Sequence, residues 1–550
     1  MLYSNAPPGV QYICEVFPKL ALPLLCVCAL HYFLPFTFTR LCLEILYLLV
    51  LPAILIIRGI LQYLLDEYEI RKLGARRVPQ VHTRWPGGID AMRDIIKKMS
   101  KGSVSEAWDS YISAYGPTYN ITTAEPDHLK TILSTNFDSY EKGWVFQSQM
   151  KSVLGTGVFN SNNEMWKFHR GMARPYFSRD RVTDFDLFNR HADVVITKLK
   201  ERFNQGEAVD FQDIMSRFTM DTAALFLFGS SVHSLSAPLP YATTSSNIYK
   251  QLEHHSDNFS EAFISVQHRV AMRGMYEDAW PLFEFWKDET KENMKVIHAF
   301  IDPVLKAALD ERRTGGDTFL DHLVKVTEDH VILRDQILNI MIAGRDTTMA
   351  TLTFTVYCLS QHPDDLTKLR DEILTLIGPS RQPTMEDVKT CKYLRAVINE
   401  TLRLYPPVPV NIRRSKRSTT WSSPDGGKPY YIPADIDILY SVWSLHRRID
   451  LWGPDAQAFD PERFLDKRIQ KYLVSNPFIF MPFNSGKLVW FAYNETSVML
   501  IRLLQALNPI TLASETQTKI WPKSHLTLYS QNGLWLRMKE PSVTAGSDVT

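Results

Sequence analysis

The run Glu400-Thr401-Leu402-Arg403-Leu404-Tyr405-Pro406-Pro407-Val408-Pro409 ends a helix with a charged pair and a stop. Residues three apart on a helix share a face, so Glu400 and Arg403 point the same way and can form a charge-assisted pair. The prolines then end the helix, because Pro lacks the backbone N–H and disfavours helical geometry in the residue before it. On any single helix such a pair also reads as a solvated surface contact of little energetic weight.

Upstream, the apolar run from Val331 carries Ala343-Gly344-Arg345-Asp346-Thr347-Thr348 in its middle. A glycine and two threonines cost helix propensity there, so a purely structural helix has little reason to keep them. A mid-helix threonine is also an ordinary residue that bonds back to the preceding turn. Further upstream, Trp166-Lys167-Phe168-His169-Arg170 sets an indole and a guanidinium four residues apart, on one helical face. The bland reading is an aromatic core anchor beside a surface arginine, with His169 an ordinary histidine. Downstream stand Phe459-Asp460-Pro461-Glu462-Arg463-Phe464, Leu445-His446-Arg447-Arg448 leading to Leu451-Trp452-Gly453-Pro454-Asp455-Ala456, and Pro482-Phe483-Asn484-Ser485-Gly486.

In this order, across about three hundred residues, these motifs resemble the cytochrome P-450 superfamily of haem-thiolate monooxygenases. The resemblance runs from about Ile89 to the C-terminus and is strongest to membrane-bound fungal fatty-acid and alkane hydroxylases. It implies a mainly α domain with small β-sheets. By that resemblance Glu400, Arg403 and Arg463 form a buried triad behind the haem. Ala343 and Gly344 let backbone approach the cofactor, Asp346 and Thr347 relay protons to bound oxygen, and Arg345 faces away toward a salt partner. Trp166 and Arg170 meet a haem propionate; Arg413 is the other propionate partner, with Arg414 beside it as an alternative. His446 reaches the haem edge or is structural. The implied reaction inserts one oxygen atom of molecular oxygen into a C–H bond of an apolar substrate such as a fatty acid or alkane. No Gly-x-Gly-x-x-Gly follows a strand, so electrons come from a separate reductase, an NADPH-dependent flavoprotein by resemblance.

One part of the pattern is missing. Phe483 and Gly486 fit the haem-ligand loop, and Phe491-Ala492 fits the helix after it. The family places eight residues between that glycine and that phenylalanine, among them a basic residue, the ligating cysteine and a second glycine, but here only Lys487-Leu488-Val489-Trp490 stand. The six cysteines are Cys14, Cys26, Cys28, Cys42, Cys358 and Cys391, so none follows the loop's first half. A thiolate pushes electron density onto haem iron to favour O–O cleavage, and nothing in these four residues does so. Three readings stand open. A misplaced splice junction has replaced the loop, which explains why both flanks are intact. Alternatively the chain is a pseudoenzyme, a membrane-anchored lipid binder or scaffold. In the third, Lys487 ligates iron, for which its amine must first lose a proton.

With 61 basic and 60 acidic side chains in 550 residues, the chain is neutral overall, and nothing in its charge points to nucleic acid. The cysteine spacing fits neither a disulfide framework nor a zinc site, so no metal ligand set is assigned. Phe17 to Phe36 and Leu41 to Leu65 are apolar apart from isolated polar residues. About twenty helical residues cross the ~30 Å hydrocarbon core, so residues 1–70 are an anchor of one or two membrane helices. Arg71, Lys72, Arg76 and Arg77 follow, and such a cluster predicts a main domain on the cytosolic side, as on the endoplasmic reticulum. The sequons at Asn120, Asn258 and Asn494 are then unglycosylated. Residues 71–88 read as a basic, Pro/Gly-rich hinge and 89–550 as the haem domain. Short β-type runs are expected at Pro117–Thr123, Pro429–Ile438 and His525–Arg537, and a flexible excursion at Ser234–Ser246.

Overall fold

The computed structural model describes residues 6–33, 40–79, 120–177, 185–242, 255–310, 318–483, 489–514 and 520–541, with isolated residues between them. Its first two helices, α1 (Pro8–Phe33) and α2 (Arg40–Lys72), follow the two apolar runs. The stretches Pro8–Ala29 and Leu48–Lys72, of 22 and 25 residues, are each long and apolar enough to cross a bilayer. Leu48, Leu55, Ile56, Leu61 and Leu65 stand exposed along α2, an arrangement that water penalises and acyl chains do not.

The principal helices that follow are α3 (Trp144–Leu154), α4 (Asn163–Tyr176), α5 (Phe185–Asn204), α6 (Phe211–Phe228), α7 (His255–Met275), α8 (Lys291–Asp310), α9 (His330–Gln361), α10 (Lys392–Leu404) and α11 (Val489–Ala506). The strands are short: β1 (Arg76–Arg77), β2 (Ile121–Thr123), β3 (Tyr140–Glu141), β4 (Val209–Asp210), β5 (Val410–Ser415), β6 (Thr419–Trp421), β7 (Tyr430–Ile432), β8 (Asp437–Ser441), β9 (Ile510–Leu512), β10 (Pro522–Ser524), β11 (Leu528–Ser530) and β12 (Trp535–Met538). They make small sheets in the orders β1-β7-β6, β10-β11, β4-β12-β9 and β2-β8-β5-β3. All three expected β runs contain strands, and the mainly α expectation holds.

Helix α9 is the axis of the domain. Asp329 caps its start, accepting from the N–H groups of Val331 (2.9 Å) and Ile332 (3.1 Å), which otherwise lack partners at a helix N-terminus. Its residues are buried on nearly every side, as expected of a helix without a polar stripe, and it packs on α6, α10, α11 and α3. Helix α6 begins at the cap Asp210 and ends at Gly229, whose φ of +70° is left-handed and suits glycine. Helix α10 stops at Leu404, and Pro406-Pro407 carry the chain into β5.

Two expectations change here. Arg76 and Arg77, assigned to the hinge, already belong to the domain. They pair in parallel with Tyr430 and Tyr431 of β7, and Arg76 bridges Asp425 at 2.5 Å. Trp85 to Gly88 and the boundary at Ile89 lie outside the described residues. Ser234 to Ala242 is packed rather than loose, because Leu235, Ala237 and Leu239 are buried. The buried Asp221 also accepts from the N–H groups of Ser234 (2.9 Å) and Leu235 (2.8 Å). Polar composition alone hid that apolar alternation.

Among the described residues the anchor touches the domain through both helices: α2 at Tyr431 of β7, whose hydroxyl donates to Asp66 at 3.4 Å, and α1 beside α7. Gly9 of α1 donates to the Phe285 carbonyl at 3.1 Å, and α1 packs on the turn Glu277–Leu282 after α7. Phe283 and Trp286 stand 60% and 75% exposed beside it, continuing the apolar surface of the anchor. The same segment is held down by a buried network. Arg273 of α7 pairs with Glu284 (2.7 Å) and Asp288 (2.6 Å) and donates to the Gln149 carbonyl of α3.

Candidate active site

The triad assigned to Glu400, Arg403 and Arg463 assembles behind α9. Arg403 grips Glu400 with two parallel hydrogen bonds of 2.7 Å, the bidentate geometry that a guanidinium and a carboxylate share. Its remaining N–H groups go to the carbonyls of His446 (2.8 Å), Ala456 (2.5 Å) and Ala458 (3.0 Å). Arg463 approaches Glu400 at 3.5 Å, but its hydrogen bonds go to Asp455 and the Trp452 carbonyl. The brace therefore has a fourth member, Asp455, which gives Arg463 an anion at 3.0 Å and also pairs with Arg468 at 2.7 Å. Glu400, Arg403 and Arg463 are all buried, where an unbalanced charge is costly.

His446 resolves as structural. Its Nδ1 bonds the Arg403 carbonyl (3.1 Å) and its Nε2 accepts from the Met481 N–H (2.9 Å), so both ring nitrogens are used. Burial, with Arg403 and Arg447 nearby, pushes it down to about 3, and it stays neutral. The histidine thus pins the segment that leads into Phe483.

A cavity of about 460 Å³ lies between α9, α3, α6, α7, β5 and α11, within the range of small-molecule chambers. Its wall is largely aromatic and aliphatic: Phe146, Phe159, Phe177, Phe226, Phe483 and Phe491 face it. Ala343, Gly344 and Thr347 supply the α9 side. A Cβ at Gly344 would meet only Ala223 Cβ, at 4.0 Å, so packing does not demand glycine there and the room it leaves belongs to the cavity. Thr347 Oγ1 donates to the Ala343 carbonyl (2.6 Å), the back-bond expected of a helical threonine; Thr351, Thr353 and Thr355 do the same.

Asp346 does not face the cavity. It pairs with Arg345 at 2.6 Å, and both are buried. Arg345 turns toward α6 and α7, bonding Ser216 and lying 5.3 Å from the Phe263 ring centre. The expected salt partner of Arg345 is thus the very acid assigned to the relay. Burial raises the Asp346 carboxyl, and Arg345 opposes that shift. A second buried acid escaped sequence analysis. Glu495 of α11 faces Thr348 and Thr222, and burial pushes it well above the usual carboxylate range.

The expected cations stand outside the residues that line the cavity. Arg170 lies over the Trp166 ring, 5.1 Å from its centre, so four-residue spacing does bring them together, although neither reaches the cavity wall. Strand alternation sets Arg413 and Arg414 on opposite faces of β5. Arg414 pairs with Asp437 at 3.0 Å, whereas Arg413 bonds only the Ile412 carbonyl (2.7 Å) and Asn411 Oδ1 (3.4 Å) among the described residues. Gly486 lies outside the described residues.

These features fit a flat apolar cofactor with carboxylates at one edge. They do not supply its iron ligand. Cys358 and Cys391 are buried, neither lines the cavity, and burial pushes Cys358 far up and Cys391 up to about 12, so both remain thiols.

Residues 108–536 match the family model for cytochrome P450. The chain is 32% identical over 508 residues to cytochrome P450 52A3-B of Candida maltosa, covering 86% of this chain and 93% of that protein. Similar figures hold for cytochrome P450 52A6 of Candida tropicalis, at 32% over 499 residues, 86% and 93%. Cytochrome P450 52-E3 of Starmerella bombicola is 35% identical over 404 residues, 71% of this chain and 76% of its own. With such relatives and two exposed apolar helices, the chain is membrane-anchored. A likeness of that length settles the lineage: the chain belongs to the cytochrome P450 family, haem-dependent monooxygenases that take electrons from a redox partner.

Proposed function

We propose that the cavity is the chamber of a hydroxylase for a long apolar substrate, a fatty acid or alkane, and that a misplaced splice junction accounts for the missing ligand loop. The observation that carries this is the apolar chamber against Ala343, Gly344 and Thr347, with flanks Phe483 and Phe491 in place on its other side. When bound, haem supplies oxygen activation, and the protein supplies binding, orientation and protons. Trp166, Arg170 and Arg413 would hold its carboxylates. The phenylalanines exclude water and align an apolar chain. Thr347 Oγ1 presents a hydroxyl proton at the wall, while Asp346 stands one residue behind it, held by Arg345.

Residues 1–70 anchor the chain, the stretch from 71 joins the domain already at Arg76 and Arg77, and 89–550 form the rest of the haem domain. That domain lies on the cytosolic face of the endoplasmic reticulum and takes electrons from an NADPH-dependent flavoprotein reductase. Two sequon positions support this orientation: Asn494 is buried, and Asn120 faces the cavity while bonding Glu277 at 2.9 Å.

Sequencing the transcript across the codons for Phe483 to Glu495 is the test. An arginine and a cysteine within an eight-residue loop uphold the proposal; Lys487 to Trp490 as they stand overturn it. The lack of any cysteine after Cys391 favours the second reading, a pseudoenzyme whose chamber binds lipid without oxygen chemistry. In protein carrying the complete loop, Thr347→Ala is expected to lower the ratio of product formed to NADPH consumed several-fold, with little change in substrate binding. An unchanged ratio removes Thr347 from proton delivery.

A further inference from the structure

Two histidines 257 residues apart meet where the chamber wall reaches the surface. His268 stands exposed on α7, one turn before the chamber-lining Ala271. His525 opens the turn between β10 and β11 and lines the chamber itself. Their Nδ1 atoms lie 3.1 Å apart, with ring centres 4.9 Å apart and planes at 77°. Stacking on Tyr529, at 4.1 Å between ring centres, fixes the His525 ring, and the His525 N–H donates to the Thr527 carbonyl at 3.0 Å. A hydrogen bond between two imidazole nitrogens sets one N–H against one bare lone pair, so at least one ring is neutral. The same spacing suits a metal ion. With Zn–N bonds of about 2.0–2.1 Å, two tetrahedral ligand nitrogens lie about 3.3 Å apart and two at a right angle about 2.9 Å, and 3.1 Å falls between. Burial, Arg269 and Lys523 hold His268 below its ordinary value, while burial, His268 and Lys523 push His525 down to about 4. Protons therefore compete little with a metal near neutral pH. Arg269 and Lys523 also repel a dication, and no third His, Cys, Asp or Glu completes a ligand set among the described residues. An ion there keeps water in its other positions and binds more weakly than in a closed structural site.

We propose that His268 and His525 form a two-histidine site for Zn²⁺ or a similar dication, and that the bound ion ties α7 to the β10–β11 hairpin across the mouth of the chamber. Ala271 and Gly274 of α7 share the chamber wall with Ser524, Leu526 and Thr527 of the hairpin, so a metal bridge between the two elements slows the passage of ligands. The site stands on the pair alone, and the effect on passage rests on the chamber being the ligand site.

The full-length protein in detergent micelles is dialysed against zinc chloride and its bound metal counted. Three variants, His268→Gln, His525→Gln and His268→Cys, are treated alike and melt within a few degrees of the wild type. The wild type is expected to hold about one equivalent of zinc more than either glutamine variant. His268→Cys keeps a ligand that zinc accepts and should hold as much as the wild type. Equal zinc in the wild type and both glutamine variants overturns the proposal. Release of hexadecanol from the chamber is then followed by tryptophan fluorescence. Zinc is expected to slow it several-fold in the wild type and to leave it unchanged in His525→Gln. Zinc that binds at the pair without slowing release overturns the tie across the mouth. A wild type that takes up no hexadecanol would overturn the reading of the chamber and the tie with it, while the zinc count decides the site.

Discussion

Replacing Glu400 by alanine is expected to prevent folded protein from accumulating. The carboxylate is buried, grips Arg403 bidentately and stands 3.5 Å from Arg463. Its Oε1 also accepts from the Asp460 N–H at 3.0 Å. Removal leaves the buried Arg403 without its anion and Arg463 with Asp455, which Arg468 also engages, and stranding a buried charge costs about 3–5 kcal/mol. That is a large part of the roughly 5–15 kcal/mol that holds an ordinary domain together. Arg403→Lys should fare little better, because an ammonium cannot reproduce a planar fork serving a carboxylate and three carbonyls. Protease resistance and thermal unfolding of the solubilised protein measure both variants. Melting at the wild-type temperature would remove the brace from the account of stability.

Exchange of Lys487-Leu488-Val489-Trp490 for an eight-residue segment with a basic residue, a cysteine and a second glycine should produce the largest change in activity. Without it, hydroxylation by the reconstituted protein and reductase stays at background, because Cys358 and Cys391 are buried away from the chamber. With it, turnover on the order of 1 s⁻¹ or faster is expected, the ordinary range of enzymes. The anchors on both sides already exist. His446 fixes Met481 before the segment, and Phe491 packs on Phe226 (4.6 Å between ring centres) and Phe188 after it. A cysteine near a helix N-terminus and beside a basic residue loses its proton readily. The same segment with serine in place of cysteine is the control. Equal background turnover in both would leave the chamber as a lipid site.

The parts legible in the sequence are those written in local spacing. Glu400 and Arg403 lie one turn apart, as do Trp166 and Arg170, so helical geometry alone brings each pair together. The apolar runs of α1, α2 and α9 likewise announce themselves by length and composition. What escaped depends on where the chain returns. Asp455 joins the brace from a loop, and His446 bridges a helix end and the segment before Phe483. Lys142 meets Arg413 at Asn411 only because β3 pairs with β5. Asp346 was read by its motif, but which neighbour captures its carboxylate is decided by Ser216 and Phe263, which turn Arg345 into the α6 and α7 side of the helix. Strand alternation separates Arg413 from Arg414, a distinction invisible until register is known.

Lys142, Arg170 and Arg413 make no ion pair with an acid among the described residues. Folding the domain brings Lys142 and Arg413 onto one amide, Asn411, and the unfolded chain disperses them. A carboxylate ligand that joins the folded chain and not the unfolded one is then a partner in folding itself, adding about 2.7 kcal/mol when it is present at a hundred times its dissociation constant. Cells remove unfolded chains continuously, so such a gain lengthens the lifetime of the protein. If the chain binds such a molecule, its supply sets in part how much of the protein a membrane holds.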